Sequence, residues 1–424
     1  MEPSSDENKK QTRPPRKPRS LCLSFANETE YERCLADRAY YRTYLMEQYQ
    51  AYPELFPEEW GEGFHFHGFI YSRKQDLHQR RVKLKRTGSV YQIRPSFMMP
   101  YMIGRVVEVE KPLFLRRWGV PFEALTYVFG RHPMYWYRAY VSLGRTSLVG
   151  TTIKQVEDLP PHLIADEKHT RLQGKKVFVP TTVAQECILG AEVVEQADAD
   201  HLEQGYQVFR DEAQTLQSDY TPQSVNTDKW PATRQAWSRL FPATTLILCF
   251  LHAVLKIKNR CRSAPDLWEL IRHKVWHVYK AESLRPFAQR LRRLREWTES
   301  QTLEKPVQAP LQALWESAAA FKGAYQHPGR FRTSNGLERL MDYQDRLLYT
   351  MRYFHGTLSS AKLYMRAMAL VWNFHPYGRR TQKKYGGVCT PFERLNGFQY
   401  HDNWLENMMI AASLRGQYRS HKIR

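Results

Sequence analysis

The sequence predicts a mixed α/β protein with a large helical block set into it. Three observations carry that prediction. Three strand-like runs follow one another from about residue 158: PHLIADEKH, KKVFVPTTVA and CILGAEVVE. Helix and strand patterns then alternate up to residue 252. Residues 253–327 are helical in pattern almost throughout, rich in Arg, Leu and Trp. At 424 residues the chain has room for two or three domains of ~150 residues each.

Taken in order, residues 1–20 form a Pro-rich basic tail with six Lys/Arg against three acids, a composition that predicts disorder. Residues 21–157 form an N-terminal region. Within it, Tyr31, Cys34, Leu35, Tyr41, Leu45 and Tyr49 recur at helical spacing until Pro53 and Pro57. Residues 64–103 predict a β-hairpin, with Val82, Leu84, Val90 and Ile93 alternating among charges and a turn at Thr87-Gly88-Ser89. From Arg73 to Arg94 there are eight Lys/Arg and one acid, so the ribbon suits a phosphate backbone, with Arg80, Arg81, Lys83, Lys85 and Arg86 as candidate contacts. Three short helical runs over 120–153 fit a helix-turn-helix. Beyond the three strands, ADADHLEQGYQVFRDEAQTL reads as a helix, QSVNTDKW as a strand, TRQAWSRLF as a helix and TTLILCFLH as a buried strand. The order β-β-β-α-β-α-β over 158–252 is that of a ribonuclease H-like core, which 253–327 interrupts and 328–424 completes. In the block, Trp276 and Trp297 sit at helical spacing with Leu and read as core, while Arg285, Arg290, Arg292, Arg293 and Arg295 spread around a helix. After the core, FHPYGRRTQKK is a basic aromatic segment with Arg379 and Arg380 as candidate DNA contacts, and ENMMIAASLRG is a helix that packs on the core.

Composition narrows the function. A 42% hydrophobic, 13% aromatic chain can fold, and its formal net charge of +20 points to a polyanionic partner, most commonly nucleic acid. No run of about 18 apolar residues predicts a membrane span, and the polar N-terminus has no secretory h-region. The six cysteines (22, 34, 187, 249, 261 and 389) form no CxxC pair, which disfavours a zinc ribbon and a disulfide framework. His65, His67 and His78 are too few for a zinc site, so packing alone is expected to hold the hairpin. A cytoplasmic, nucleoid-associated setting follows.

Three acids stand out. Asp166 ends the apolar run Leu163-Ile164-Ala165, and Asp228 ends Ser224-Val225-Asn226-Thr227. Acids at strand ends sit at the rim of an α/β sheet, where ligands bind. Glu338 falls in the first or second turn of a helix that Thr333 or Ser334 can cap. Three carboxylates around a cleft are hard oxygen ligands for Mg²⁺ or Mn²⁺, and two such ions ~3.5–4 Å apart serve phosphodiester displacement. Without metal, at least one of the acids should titrate high. Glu167, Asp198, Asp200, Asp219 and Asp342 compete. Strand alternation points Asp166 and Glu167 to opposite faces, so at most one of them faces the cleft.

Combined in order, LIADEKH, VNTDKW, CFLH and RTSNGLERL resemble the motifs of DDE transposases of the bacterial insertion-sequence type, on the mutator-like wing with a (C/D)xxH signature. The resemblance covers about residues 120–380 and includes the helical insertion between the second Asp and the Glu. It implies that Asp166, Asp228 and Glu338 hold two divalent metals, with Cys249 and His252 structural beside them. Asn335, Arg332 and Lys229 become candidates to orient the site or a phosphate. The segment IRPSFMMPY also echoes such transposases, although the paired cysteines that precede it there are missing. The function implied is binding of a mobile element's terminal repeats, then metal-dependent 3′-end cleavage and strand transfer to a double-stranded target DNA, in a complex at least dimeric. Two alternatives remain: a non-catalytic DNA-binding relic of the same fold, and a structure-specific nuclease. A glycosidase would need neither the charge nor the helical block.

Overall fold

The computed structural model describes residues 19–326 and 329–416. It begins with a short strand, β1 (Ser20–Leu23), and two helices, α1 (Glu28–Ala36) and α2 (Arg38–Ala51). Both helices start on side-chain caps, Asn27 accepting from Glu30 N and Asp37 from Ala39 N, each at 2.8 Å. Such caps satisfy first-turn N–H groups that have no partner within the helix. Strands β2 (Phe64–Ser72), β3 (Leu77–Leu84) and β4 (Val90–Pro95) follow. The expected turn joins β3 to β4, with Gly88 at φ 64°, a left-handed backbone that favours glycine.

The hairpin is part of a larger unit, a four-stranded sheet of order β1-β4-β3-β2. Strand β1 lies parallel to β4, with Leu21 opposite Ile93. Four residues, Ser-Leu-Cys-Leu, are too short to show a period, so this strand exists through its distant partner. Ser20 therefore belongs to the sheet and not to the basic tail; residues 1–18 of that tail lie outside the described residues.

Next come α3 (Val106–Arg117), α4 (Phe122–Phe129), α5 (Pro133–Leu143) and α6 (Leu148–Thr152). The helix-turn-helix expectation needs correction at its third member. Helix α6 has five residues and all are buried, so it cannot enter a DNA groove. It is closed in on several sides: Leu148 and Val149 enter the cores on either side, and a Cβ on Gly150 would lie 1.6 Å from the Gly416 carbonyl oxygen.

The central elements appear in the predicted order: β5 (His162–Leu172), β6 (Lys175–Ala184), β7 (Cys187–Ala191), α7 (Ala199–Leu216), β8 (Ser224–Thr227), α8 (Pro231–Leu240) and β9 (Thr245–Leu248). They build a mixed five-stranded sheet of order β7-β6-β5-β8-β9. Pairs β5–β6 and β6–β7 are antiparallel, while β5–β8 and β8–β9 are parallel. Side chains alternate across β5. Leu163 and Ala165 pack with Phe209 and Trp237 from α7 and α8. Ile164 faces the other way and joins the core that holds Leu337 and Leu340.

The helical block is α9 (Phe250–Arg260), α10 (Pro265–Tyr279), α11 (Leu284–Ser300), α12 (Lys305–Glu316) and α13 (Ala318–Gln326). It has its own core, including Val275, Phe287, Leu291 and Leu311, against which Trp276 and Trp297 pack half-buried. The chain returns through α14 (Asn335–Thr350) and α15 (Leu358–Phe374), then ends with α16 (Arg379–Lys384), α17 (Pro391–Asn396) and α18 (Trp404–Ala411). Helix α18 is largely buried, as expected of a helix packing on the core. No described helix is long and apolar enough to cross a membrane.

Candidate active site

The parallel pairing of β5 with β8 ends at Ile164 opposite Asn226. Asp166, on β5, and Asp228, just past the end of β8, each lie two residues beyond that last pair. Adjacent strands are ~4.8 Å apart, so matched register sets the two acids side by side at the carboxyl edge of the parallel strands. Asp228 follows the end of β8, as expected. Asp166 does not end its strand: antiparallel pairing with β6 carries β5 on from Asp166 opposite Thr181 to Leu172 opposite Lys175. It reaches an edge because β8 stops, not because β5 does.

Glu338 is brought to the same edge by a stitched segment. Asn226 Nδ2 donates to the Phe331 carbonyl at 3.0 Å, and Phe250 N donates to the Arg332 carbonyl at 3.0 Å. Ser334 N donates to Cys249 Sγ at 3.2 Å, and the Ser334 hydroxyl lies 3.1 Å from the same sulfur. Ser334 occupies the N-cap position of α14, but its hydroxyl turns to Cys249 and not to the helix. Helix α14 then runs along β5. A Cβ on Gly336 would lie 3.7 Å from Ile164 Cδ1, and the Lys168 ammonium pairs with Asp345 further down the helix. Glu338 falls between those two contacts, on the face of β5 that carries Asp166.

The electrostatics agree with this placement. Burial raises the Asp166 carboxyl above its ordinary value, and the charges of Asp228 and Glu338 raise it further. A hydrogen bond from Glu167 N and the charge of His252 oppose them. Asp166 Oδ1 accepts from Glu167 N at 2.8 Å, and Asp228 Oδ1 accepts from Trp230 N at 2.7 Å. The Glu338 carboxylate makes no hydrogen bond or ion pair with any described residue. No three Asp, Glu, His or Cys side chains among the described residues are grouped so as to grip an ion. The three acids share one electrostatic field without forming a closed cage.

Cys249 and His252 sit beside them, at the end of β9 and the first turn of α9. His252 Nδ1 is buried without a hydrogen-bond partner, and the neighbouring Cys249 sulfur raises its imidazole above the ordinary histidine range, with burial opposing and the charges of Asp166 and Asp228 assisting. Burial pushes the Cys249 thiol up, but the nearby His252 and the contact with Ser334 bring it below its usual value. The pair thus links the strand end, the α14 cap and the two aspartates.

Glu167 takes the opposite face, as alternation requires. Its Oε1 accepts from Tyr206 Oη and Thr233 Oγ1, both at 2.7 Å, while Oε2 is buried without a partner. Of the other competing acids, Asp198 caps α7 through Asp200 N and His201 N.

The candidate DNA contacts divide. Arg80 is 1% exposed, its guanidinium 3.8 Å from the centre of the Phe69 ring and donating to the Leu35 carbonyl at 3.0 Å. It is withdrawn as a phosphate contact, because it shares the inward face of β3 with Val82 and Leu84. Lys83 and Lys85 are exposed and Arg81 half-buried on the other face. Arg86 is exposed but paired with Glu62 at 2.8 Å and Glu59 at 3.7 Å. Arg332 is committed to the fold: it donates to the Tyr279 and Ala281 carbonyls at 3.2 and 2.8 Å and lies over the Tyr325 ring. Lys229 donates to Ser317 Oγ at 3.1 Å, and Asn335 is exposed at the first position of α14. Arg379 and Arg380 are exposed on α16. Tyr377 and Tyr385 anchor that segment to Glu186 in the β6–β7 turn, beyond Val183, whereas Asp166 pairs with Thr181.

No family model matches the chain, and no curated protein matches it significantly.

Proposed function

We propose that the chain is a DDE-type DNA transposase with a ribonuclease H-like core, its Asp166, Asp228 and Glu338 holding two Mg²⁺ or Mn²⁺ ions. The observation that carries this reading is the matched register of Asp166 and Asp228 beyond the last β5–β8 pair, with the α14 helix of Glu338 stitched onto the same strand ends. The donor set fits hard divalent cations: it is all carboxylate, it contains no internal ion pair, and burial beside two like charges already strains the ionised form of Asp166. When bound, such ions stabilise charge on the attacking and leaving oxygens of an in-line phosphodiester displacement.

The chain's own residues supply the rest. Backbone N–H groups of Glu167 and Trp230 fix one oxygen of each aspartate and leave the other free. Beside them His252, whose imidazole is raised above the ordinary histidine range, favours positive charge that offsets the repulsion between the aspartates. Lys83, Lys85, Arg379 and Arg380 are exposed cations that bind double-stranded DNA without reading its sequence. The nucleophiles are water and then a 3′-hydroxyl, and two DNA ends are joined in a complex that is at least a dimer.

The test is joining of a 3′-hydroxyl duplex oligonucleotide into supercoiled plasmid in Mg²⁺ or Mn²⁺. Asp166→Asn and Asp228→Asn should each lower joining on the order of 10²–10³-fold and keep DNA binding in a gel shift. Undiminished cleavage by Asp228→Ala overturns the assignment. Nicking without joining would identify a nuclease, and binding without nicking even in Mn²⁺ a relic.

A further inference from the structure

A cavity of about 380 Å³ lies between the N-terminal sheet and the helices packed on it, and none of the candidate acids lines it. Its size is within the ~300–1,000 Å³ of small-ligand sites. One wall is a row of amides: Gln75 from the β2–β3 turn, Gln79 from β3 and Gln92 from β4. The floor is apolar, formed by Leu143, Leu370, Met408 and Met409. The rim carries Arg19, Lys74, Arg94 and Arg415, and no Asp or Glu lines the cavity.

The amides are linked in series. Gln92 Nε2 donates to Gln79 Oε1, Gln79 Nε2 to Gln75 Oε1 at 2.6 Å, and Gln75 Nε2 to the Met99 carbonyl at 2.7 Å. An amide has two N–H donors and a carbonyl acceptor, so the row retains one N–H per residue and the Gln92 oxygen for a further partner. Gln79 is 1% exposed, which makes this a built wall and not a surface accident. Four like charges around one mouth repel one another, and an anion seated there removes that cost. Arg94 spends one N–H on the Met98 carbonyl at 2.8 Å, and the rim cations have no carboxylate partner among the described residues. At the mouth the exposed ring of Tyr101 lies 4.9 Å from the Arg145 guanidinium, a pairing suited to stacking on a planar base.

We propose that this cavity binds a nucleoside phosphate, the base lying on the Leu143–Met408–Met409 floor with its edge against the Gln79–Gln92 amides and the phosphate at Lys74, Arg94 and Arg415. Donors and acceptors in one row match a base edge, and a cationic rim matches the phosphate. The same chemistry arrives as a free nucleotide or as a nucleotide turned out of a bound strand. The assignment does not depend on the carboxylate site.

Calorimetric titration of the full chain with the four deoxynucleoside monophosphates, with short single-stranded oligonucleotides and with inorganic phosphate tests it. Saturable binding of the nucleotides is expected, with phosphate alone at least about tenfold weaker. Lys74→Glu and Arg415→Glu, both at exposed positions, should each weaken nucleotide binding about tenfold with unchanged circular dichroism. Gln92→Leu should alter the ranking of the four bases. Tighter binding of oligonucleotides assigns the cavity to a turned-out nucleotide, and tighter binding of monophosphates to a free one. No saturable binding of either, phosphate binding as tightly as nucleotide, or indifference to both charge reversals overturns the proposal.

Discussion

Replacing Glu167 by Gln tests whether two adjacent carboxylates have opposite jobs. Glu167 is 8% exposed, and burial pushes its carboxyl up from 4.5 to about 7, against the stabilising bonds from Tyr206 and Thr233. The sign follows from linkage. The folded chain holds this proton more tightly than the unfolded chain, so the stabilisation is fully present below pH 4.5 and is lost as pH rises through about 7. A shift from 4.5 to about 7 at ~1.4 kcal/mol per unit amounts to about 3 kcal/mol. Gln keeps an oxygen to accept from both hydroxyls but does not titrate. The urea midpoint of Glu167→Gln should therefore lose this component of the fall expected for wild type between about pH 5 and 8. Comparing the two proteins cancels constant costs, including the amide N–H that replaces the unpartnered Oε2. On the proposed function, Glu167→Gln retains joining activity in the assay where Asp166→Asn loses it. Identical pH profiles for the two proteins, or loss of joining in Glu167→Gln with its fold intact, would refute the reasoning.

Other consequences are more direct. Lys154 Nζ donates to the Gly150 and Ala411 carbonyls at 2.8 and 2.7 Å, and burial depresses its ammonium from 10.5 to about 8, with Glu54 opposing. Its charge is disfavoured in the fold, so stability should rise from about pH 8 toward 10.5 in wild type and lose that component in Lys154→Met, as read by thermal melts. A Cβ on Gly144 would lie 2.0 Å from the Leu363 carbonyl oxygen, whereas one on Gly378 meets nothing within 4 Å. Gly144→Ala should cost about 1–3 kcal/mol or more and Gly378→Ala within about 0.5 kcal/mol, checked by denaturant titration. Arg380→Ala should weaken DNA binding and reduce its salt slope by about 1, while Arg332→Ala should leave that slope unchanged and raise amide exchange in the helical block.

The run from His162 to Leu248 was legible because each element carries its own apolar pattern and its own turn. That Asp166 and Glu167 take opposite faces was legible too, since alternation on a strand requires it. Strand β1 was not, because four residues have no period and its partner lies far along the chain. Arg80 was misread by composition although its parity with Val82 and Leu84 placed it inward. Helix α6 was misread because its pattern is that of any short helix, and only the burial of all five of its residues shows that no face is free. The strand-end position of Asp166 was inferred from where the apolar run stopped, but the sheet edge there is set by β8. The role of Ser334 was invisible, since its sulfur partner is 85 positions away.

That last contact has a topological consequence. Cys249 and Ser334 touch although 85 positions separate them, so the helical block is a closed loop whose two ends already meet. Closure entropy grows only as (3/2)RT ln n, so exchanging the block for a short linker of about six residues would ease closure by only about 2 kcal/mol. The central sheet would therefore tolerate blocks of very different length at this position with little thermodynamic penalty. What holds the block in place is instead side-on packing, because Ile247, Leu248 and Phe250 belong to its core and would be stripped bare by excision. The block is thus free to vary in size but not to leave.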